Sequence, residues 1–232
     1  MKQTRRARIH ETIRDEIKNI AWEQIAQYGA AALSLRAIAH QMEVTPSALY
    51  RYFANRDELV TSLIVDAFTS LAGALEAARD ALPAEDYARR YVAVGMAYRD
   101  WAITHPQRYA LIFGTPIPGY HAPMEVTQPA AACALGVLMG VLEAGWEAGI
   151  FRLSEGYGEL TPAIQAQLQE WRETLSLSAP IPVLYLTLVS WSRVHGLISL
   201  ELYEQFPPMV NEPGEMFRLE VNELLNQLTR IK

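Results

Sequence analysis

One cysteine, Cys133, is present among 232 residues, so no internal disulfide framework can form. That usage suits a reducing compartment and sets the expectation of a cytoplasmic protein. Cys133 lies among Ala131, Ala132, Ala134 and Leu135, a setting that favours a buried core thiol over a reactive one. No apolar run reaches membrane-spanning length without interruption, and the basic N-terminus lacks the apolar stretch of a signal peptide. No membrane partner is therefore expected. Strand-like alternation, internal repeats and low-complexity segments are absent. So are the Gly-x-Ser-x-Gly elbow, the glycine-rich phosphate loop and His-Glu-x-x-His, which removes the commonest catalytic signatures. His121 with Glu125, and His195 with Glu201, lack the further ligands that a metal site needs. The expectation is a chain that is no enzyme and holds no metal or cofactor.

Positive charge is also short overall. The net charge is −6, which disfavours a nucleic-acid partner until it is divided along the chain. Residues 1–60 hold nine Lys/Arg against seven Asp/Glu, and residues 61–232 hold eleven against nineteen. The basic density peaks at Lys2, Arg5, Arg6 and Arg8, ahead of the first acid, Glu11. This run is either a solvated tail or an arm that follows a phosphate backbone. The acidic remainder favours solubility and points away from DNA.

What the chain does carry is concentrated between Leu33 and Leu59, LSLRAIAHQMEVTPSALYRYFANRDEL. Leu35, Ile38, Ala39 and Met42 follow the i, i+3, i+4, i+7 spacing of one helix face. Thr45 is a natural N-cap and Pro46 suits the first helical position, so a second helix is expected to run to Phe53. Asn55 with Glu58 three residues on resembles a capping box that opens a third. Two helices joined by a tight turn are the helix-turn-helix arrangement, and DNA is the first partner to consider. The spacing alone is shared with helical hairpins that never touch nucleic acid.

The residues narrow this. Val44-Thr45-Pro46-Ser47-Ala48-Leu49-Tyr50-Arg51-Tyr52-Phe53, followed by Asn55-Arg56-Asp57-Glu58-Leu59, resembles the DNA-binding domain of the TetR family of bacterial transcriptional regulators. The likeness runs from about Ile9 to Leu63. One departure is Glu43, which stands where the family usually has glycine, so the turn is either mildly strained or differently shaped. The resemblance implies an all-α protein. An N-terminal three-helix helix-turn-helix DNA-binding domain would occupy 1–55, and a C-terminal helical ligand-binding and dimerisation domain 56–232. It implies a repressor released from a palindromic operator on double-stranded DNA by a small apolar or aromatic effector. Thr45, Pro46, Ser47 and Arg51 are then expected nearest the bases, with Ser34, Arg36, Tyr50, Tyr52 and Arg56 toward phosphate. Leu49 and Phe53 should face the core. The rival is a helical small-molecule or protein-binding module that no longer acts through DNA. Basicity around Arg51 and Arg56 argues against it.

The rest reads as helices. The expected spans are Ile9–Tyr28, Arg56–Leu82, Ala84–Thr104, Pro106–Phe113, Gln128–Ala148, Thr161–Leu175, Pro182–Phe206 and Pro213–Ile231, with a Gly-rich loop at 154–158. The Pro182–Phe206 segment is apolar on nearly its whole circumference and must be covered all round. With a companion stripe on the last helix it suggests a four-helix homodimer seam at Leu197, Phe217, Val221, Leu224 and Leu228. Tyr98, Trp101, Tyr109, Phe113, Trp146, Trp191 and His195 are candidate ligand-pocket residues. His195 reads as a hydrogen-bonded structural histidine before a ligand contact. His105-Pro106-Gln107-Arg108-Tyr109 through Pro118-Gly119-Tyr120, with Trp191-x-x-x-His195-Gly196, resembles a C-terminal domain type of one TetR branch, named for its Trp-His-Gly signature.

Overall fold

A computed structural model describes residues 5–154 and 159–229. Lys2, Ile231 and most of the 154–158 loop lie outside the described residues. The helices are α1 Arg5–Tyr28, α2 Leu35–Gln41, α3 Pro46–Leu49, α4 Arg56–Asp80 and α5 Tyr87–Thr104. They continue as α6 Pro106–Phe113, α7 Met124–Glu147, α8 Pro162–Thr174, α9 Ile181–Leu202 and α10 Pro213–Thr229. A single 3-10 turn, Ala30–Ala32, follows α1, and among the described residues there is no strand.

Proline sets several helix starts. Pro46, Pro106 and Pro162 each sit in the first turn, where the missing N–H has no partner to lose. Pro129 is different. It falls inside α7, which begins at Met124 rather than at the expected Gln128. Helix α1 starts four residues earlier than expected, so Arg5, Arg6 and Arg8 are helical and exposed rather than a loose tail.

Packing groups the chain into two units, residues 1–68 with 105–131, and 69–104 with 132–232. This grouping runs differently from a chain-order division at residue 55. In the first unit, Ile17, Ile38, Leu49, Phe53, Leu59 and Leu63 form a fully buried core shared by α1 to α4. Leu111, Ile112, Ile117 and Tyr120, from α6 and the loop after it, pack against that core. The Tyr120 hydroxyl lies 2.8 Å from that of Thr61, and burial pushes the Tyr120 phenol pKa up. Segment 105–131 is thus part of the helix-turn-helix body.

In the second unit, α10 packs on α5 and α9, α5 on α9, and α8 on α9. Arg99 of α5 clasps Glu201 of α9, its Nε donating to the carboxylate at 2.7 Å. This packing bears on the residues of the expected dimer stripe. Phe217, Val221, Leu224 and Leu228 are covered within one protomer, Leu224 to 2% exposure, because α5 already lies against that face. Val221 sits where any side chain on Gly95 would be. Leu197 is half-buried. Cys133 is exposed, not a core thiol, since neighbouring apolar residues do not fix which side of a helix a residue faces. Helices α4, α7 and α9 are long and apolar enough, by length and composition, to cross a membrane. Single polar residues interrupt each run yet leave its mean hydropathy high.

Candidate functional site

The helix-turn-helix is built from its two ends inward. Ser34 caps α2, its hydroxyl oxygen accepting from the Ala37 N–H, while its own N–H donates to the Gln24 side chain. At the other end of α2, Glu43 adopts φ 55°. Its N–H donates to His40 O at 3.1 Å and that of Val44 to Ala39 O at 3.0 Å, the paired bonds of a Schellman turn. The turn therefore keeps the left-handed shape with a glutamate in the position that suits glycine. Val44, just after it, is 40% exposed.

Thr45 stands at the N-cap of α3, but its hydroxyl pairs with that of Ser47 at 3.0 Å instead of taking a backbone N–H. Helix α3 is regular for one turn only and stops at Leu49, short of the expected Phe53. The chain then tightens, the Tyr52 and Phe53 N–H groups both donating to Leu49 O at 2.8 and 3.0 Å. Leu49 and Phe53 are anchored in the core, as their spacing indicates. Thr45, Pro46, Ser47, Tyr50 and Arg51 are exposed, as is Arg36, and Ser34 is half-buried. The segment thus presents a contiguous polar and aromatic edge on a buried footing. Next, the Glu58 N–H donates to Asn55 Oδ1 at 2.8 Å, and the Glu58 carboxylate accepts from the Ala54 N–H at 2.7 Å. The capping box is real, displaced by one residue on its return bond.

Two residues are placed otherwise than expected. The Arg56 guanidinium turns inward, donating to Leu33 O, Ala30 O and Ala31 O at 3.1, 3.0 and 3.1 Å. It pins the 3-10 turn to the start of α4, because carbonyls at the end of so short a turn need donors from elsewhere. Arg56 is therefore a clamp within the unit, its guanidinium donating to these three carbonyls. Tyr52 is half-buried, with its ring centroid 4.7 Å from that of His10. Arg14, which the sequence did not single out, donates to the Tyr52 carbonyl. Nothing in the spacing of α1 marks it, since Arg14 sits at the edge of the Ile13 and Ile17 stripe.

The ligand candidates do not form one set. Tyr109 and Phe113 lie in the first unit, in contact with each other, Phe113 also edge-on to Phe68. In the second, Tyr98, Trp191 and His195 come together. The Tyr98 hydroxyl lies 2.8 Å from His195 Nδ1, and the Trp191 ring stacks on His195 at 4.9 Å. Burial holds the His195 pKa below the ordinary histidine value. Trp101 donates its indole N–H to Ser70 at 3.0 Å, and Trp146 lies under the Arg152 guanidinium.

Comparison with known proteins agrees with this geometry. Residues 19–63 match the family described as bacterial regulatory proteins, tetR family. Residues 91–224 match the tetracyclin repressor-like C-terminal domain. The HTH-type transcriptional regulators Mb1846 of Mycobacterium bovis and Rv1816 of Mycobacterium tuberculosis are each 35% identical over 217 residues, spanning 93% of this chain and 92% of theirs. The crystal structure of the protein SCO4313 is 42% identical, covers 96% of this chain and 100% of its own, and superposes with a TM-score of 0.80. With a helix-turn-helix head and a helical C-terminal region that both match, the chain belongs to the TetR family of DNA-binding transcriptional regulators.

Proposed function

We propose that this regulator is a cytoplasmic homodimeric repressor that leaves a palindromic operator when a small, mostly apolar effector binds its C-terminal unit. The observation that carries the DNA half is the exposed edge Thr45, Pro46, Ser47, Tyr50 and Arg51 over a fully buried Leu49 and Phe53. Such an edge suits a major groove, with Thr45, Ser47 and Arg51 toward base edges and Ser34, Arg36 and Tyr50 toward phosphate. Arg56 supports it from behind. For the effector, Tyr98, Trp191 and His195 supply flat apolar surface and a hydrogen-bonding pair in one place.

Two half-sites need two heads. The α10 stripe is used up inside the protomer, so the dimer seam falls to the face of α9 that its own chain leaves incompletely covered. Leu188, Val189, Ser192, Gly196 and Ser199 lie along it at helical spacing. Nothing stands within 4 Å of where a side chain on Gly196 would begin, which allows a second helix to approach closely. The test is selection of bound duplexes from a random pool, repeated with apolar and aromatic candidate effectors. Two-fold symmetric sites whose binding falls with an effector are the expected result. A folded protein that retains no duplex at low salt would refute the reading.

A further inference from the structure

The recognition segment is held from outside itself. Past the single turn of α3 the chain bends through residues 50–52 without a helix ladder, and another element must supply donors to the carbonyls there. Arg14 of α1 does so for Tyr52, whose carbonyl accepts from Nη1. The same guanidinium lies over the Phe53 ring, 4.1 Å from its centroid, a cation–π contact. Its Nη1 is also 3.9 Å from the Glu58 carboxylate, which itself accepts the Ala54 N–H. One turn earlier on α1, His10 lays its ring on Tyr52. Residues 52 to 54 are therefore gripped by α1 on one side and by the first turn of α4 on the other. Tyr50 and Arg51, both exposed, are the residues just before the grip.

We propose that Arg14 is a positioning residue for operator recognition, fixing the direction of Tyr50 and Arg51 from behind without itself meeting DNA. This rests on the regulator reading given above. A basic residue on the head has an obvious alternative role, a phosphate contact, and the two roles differ in a measurable way. A phosphate contact releases counterions, so its removal weakens binding to every sequence and flattens the salt dependence by roughly one unit. A positioning residue has its charge matched inside the protein. Its removal blurs the register of the side chains that read bases and leaves the salt dependence unchanged.

The experiment compares wild type, Arg14→Gln and Arg14→Lys on a duplex selected by the wild-type protein and on a scrambled duplex of equal length, across a salt series. Arg14→Gln should weaken the selected duplex about tenfold, equivalent to roughly 1.4 kcal/mol. The scrambled duplex and both salt slopes should stay unchanged. Arg14→Lys keeps a cation able to donate to the Tyr52 carbonyl and should recover much of the loss. In the absence of DNA, hydrogen exchange of the Tyr52 and Phe53 amides should quicken in Arg14→Gln and return toward wild type in Arg14→Lys. A shallower salt slope on both duplexes, or unchanged discrimination with unchanged exchange, overturns the proposal. If Arg14→Gln does not fold, Arg14→Lys decides, and a lysine variant with wild-type exchange but a lost preference also overturns it. Failure of the wild type to select any duplex removes the regulator reading first, and this proposal with it.

Discussion

Consider replacing Glu43 with glycine. At φ 55° the glutamate holds the left-handed conformation that closes α2, and an L-residue there costs roughly 1–2 kcal/mol relative to its relaxed backbone. Its carboxylate also sits just past the C-terminal, negative end of that helix. At an exposed site this adds about 0.3 kcal/mol of repulsion. Glycine removes both and keeps the two Schellman hydrogen bonds, which involve backbone atoms only. Against this, glycine enlarges the conformational freedom of the unfolded chain, an offset of about 0.4–1 kcal/mol. The net expectation is a gain near 1 kcal/mol, or about 2–4 °C in Tm for a chain of this length. Glu43→Gln separates the parts, since it loses the charge but keeps the strained backbone, and should gain only about 0.3 kcal/mol. Urea titrations of the three proteins, followed by circular dichroism at equal protein concentration, make the comparison. A Glu43→Gly midpoint at or below that of Glu43→Gln, with equal slopes, would refute the strain argument. Ser176 and Glu204 close α8 and α9 with φ of 51° and 54° and the same bond pattern, so glycine there should act in the same direction.

Three further outcomes follow from the packing of the second unit. In Gly145→Ala, the new methyl would begin 2.2 Å from the ring of the fully buried Phe151, and a loss of about 3 kcal/mol in urea is expected; a loss below half of that would show that the ring can move aside. Leu224→Asp should unfold the protomer, because it buries a carboxylate under α5, whereas Ser192→Arg, on an exposed α9 position, should leave it folded but monomeric; light scattering and thermal melts separate the two, and a Ser192→Arg dimer would exclude that seam. Burial holds the His195 pKa below its ordinary value of 6.5, so as pH falls below about 6.5 the unfolded chain takes up a proton there before the folded one does. Stability present above that pH is then lost on acidification down to the lowered pKa. His195→Asn should show a shallower loss between pH 7.5 and 5.5, and equal losses in both proteins would exclude His195 as the source.

Much of the first unit could be read from residue order because its signals are local. Leu35, Ile38 and Ala39 are three to four residues apart and do turn inward together; Pro46 and Asn55 mark helix starts through their own backbone chemistry. What was not legible has a different origin. The stripe Phe217, Val221, Leu224, Leu228 was legible as an apolar face, yet periodicity says only that a face needs cover, not whether α5 or a second protomer supplies it. Arg56 poses the same problem. Its basicity and place near the turn suggest a phosphate contact and give no sign of its bonds to the carbonyls of Ala30, Ala31 and Leu33, twenty-three to twenty-six residues away in the chain. Likewise, the attachment of 105–131 to the helix-turn-helix depends on Ile117 and Tyr120 meeting a core formed far earlier in the sequence. Partner choice between distant segments leaves no mark at either end.

The brevity of α3 has a consequence for how such a head can change its target. A single turn of helix lies below the length at which intrinsic helix preference counts, since the cost of nucleating it outweighs the few bonds that follow. Its shape is imposed by the seats of Leu49 and Phe53 and by neighbouring elements, not by the residues that face outward. Thr45, Ser47, Tyr50 and Arg51 are exposed; only Ser47 of these lies within α3, and exchanging it for another ordinary residue alters helix preference by at most about 0.7 kcal/mol. The outward residues can therefore be rewritten almost independently of folding. A new operator can be acquired by changing side chains on a stand that does not notice the exchange.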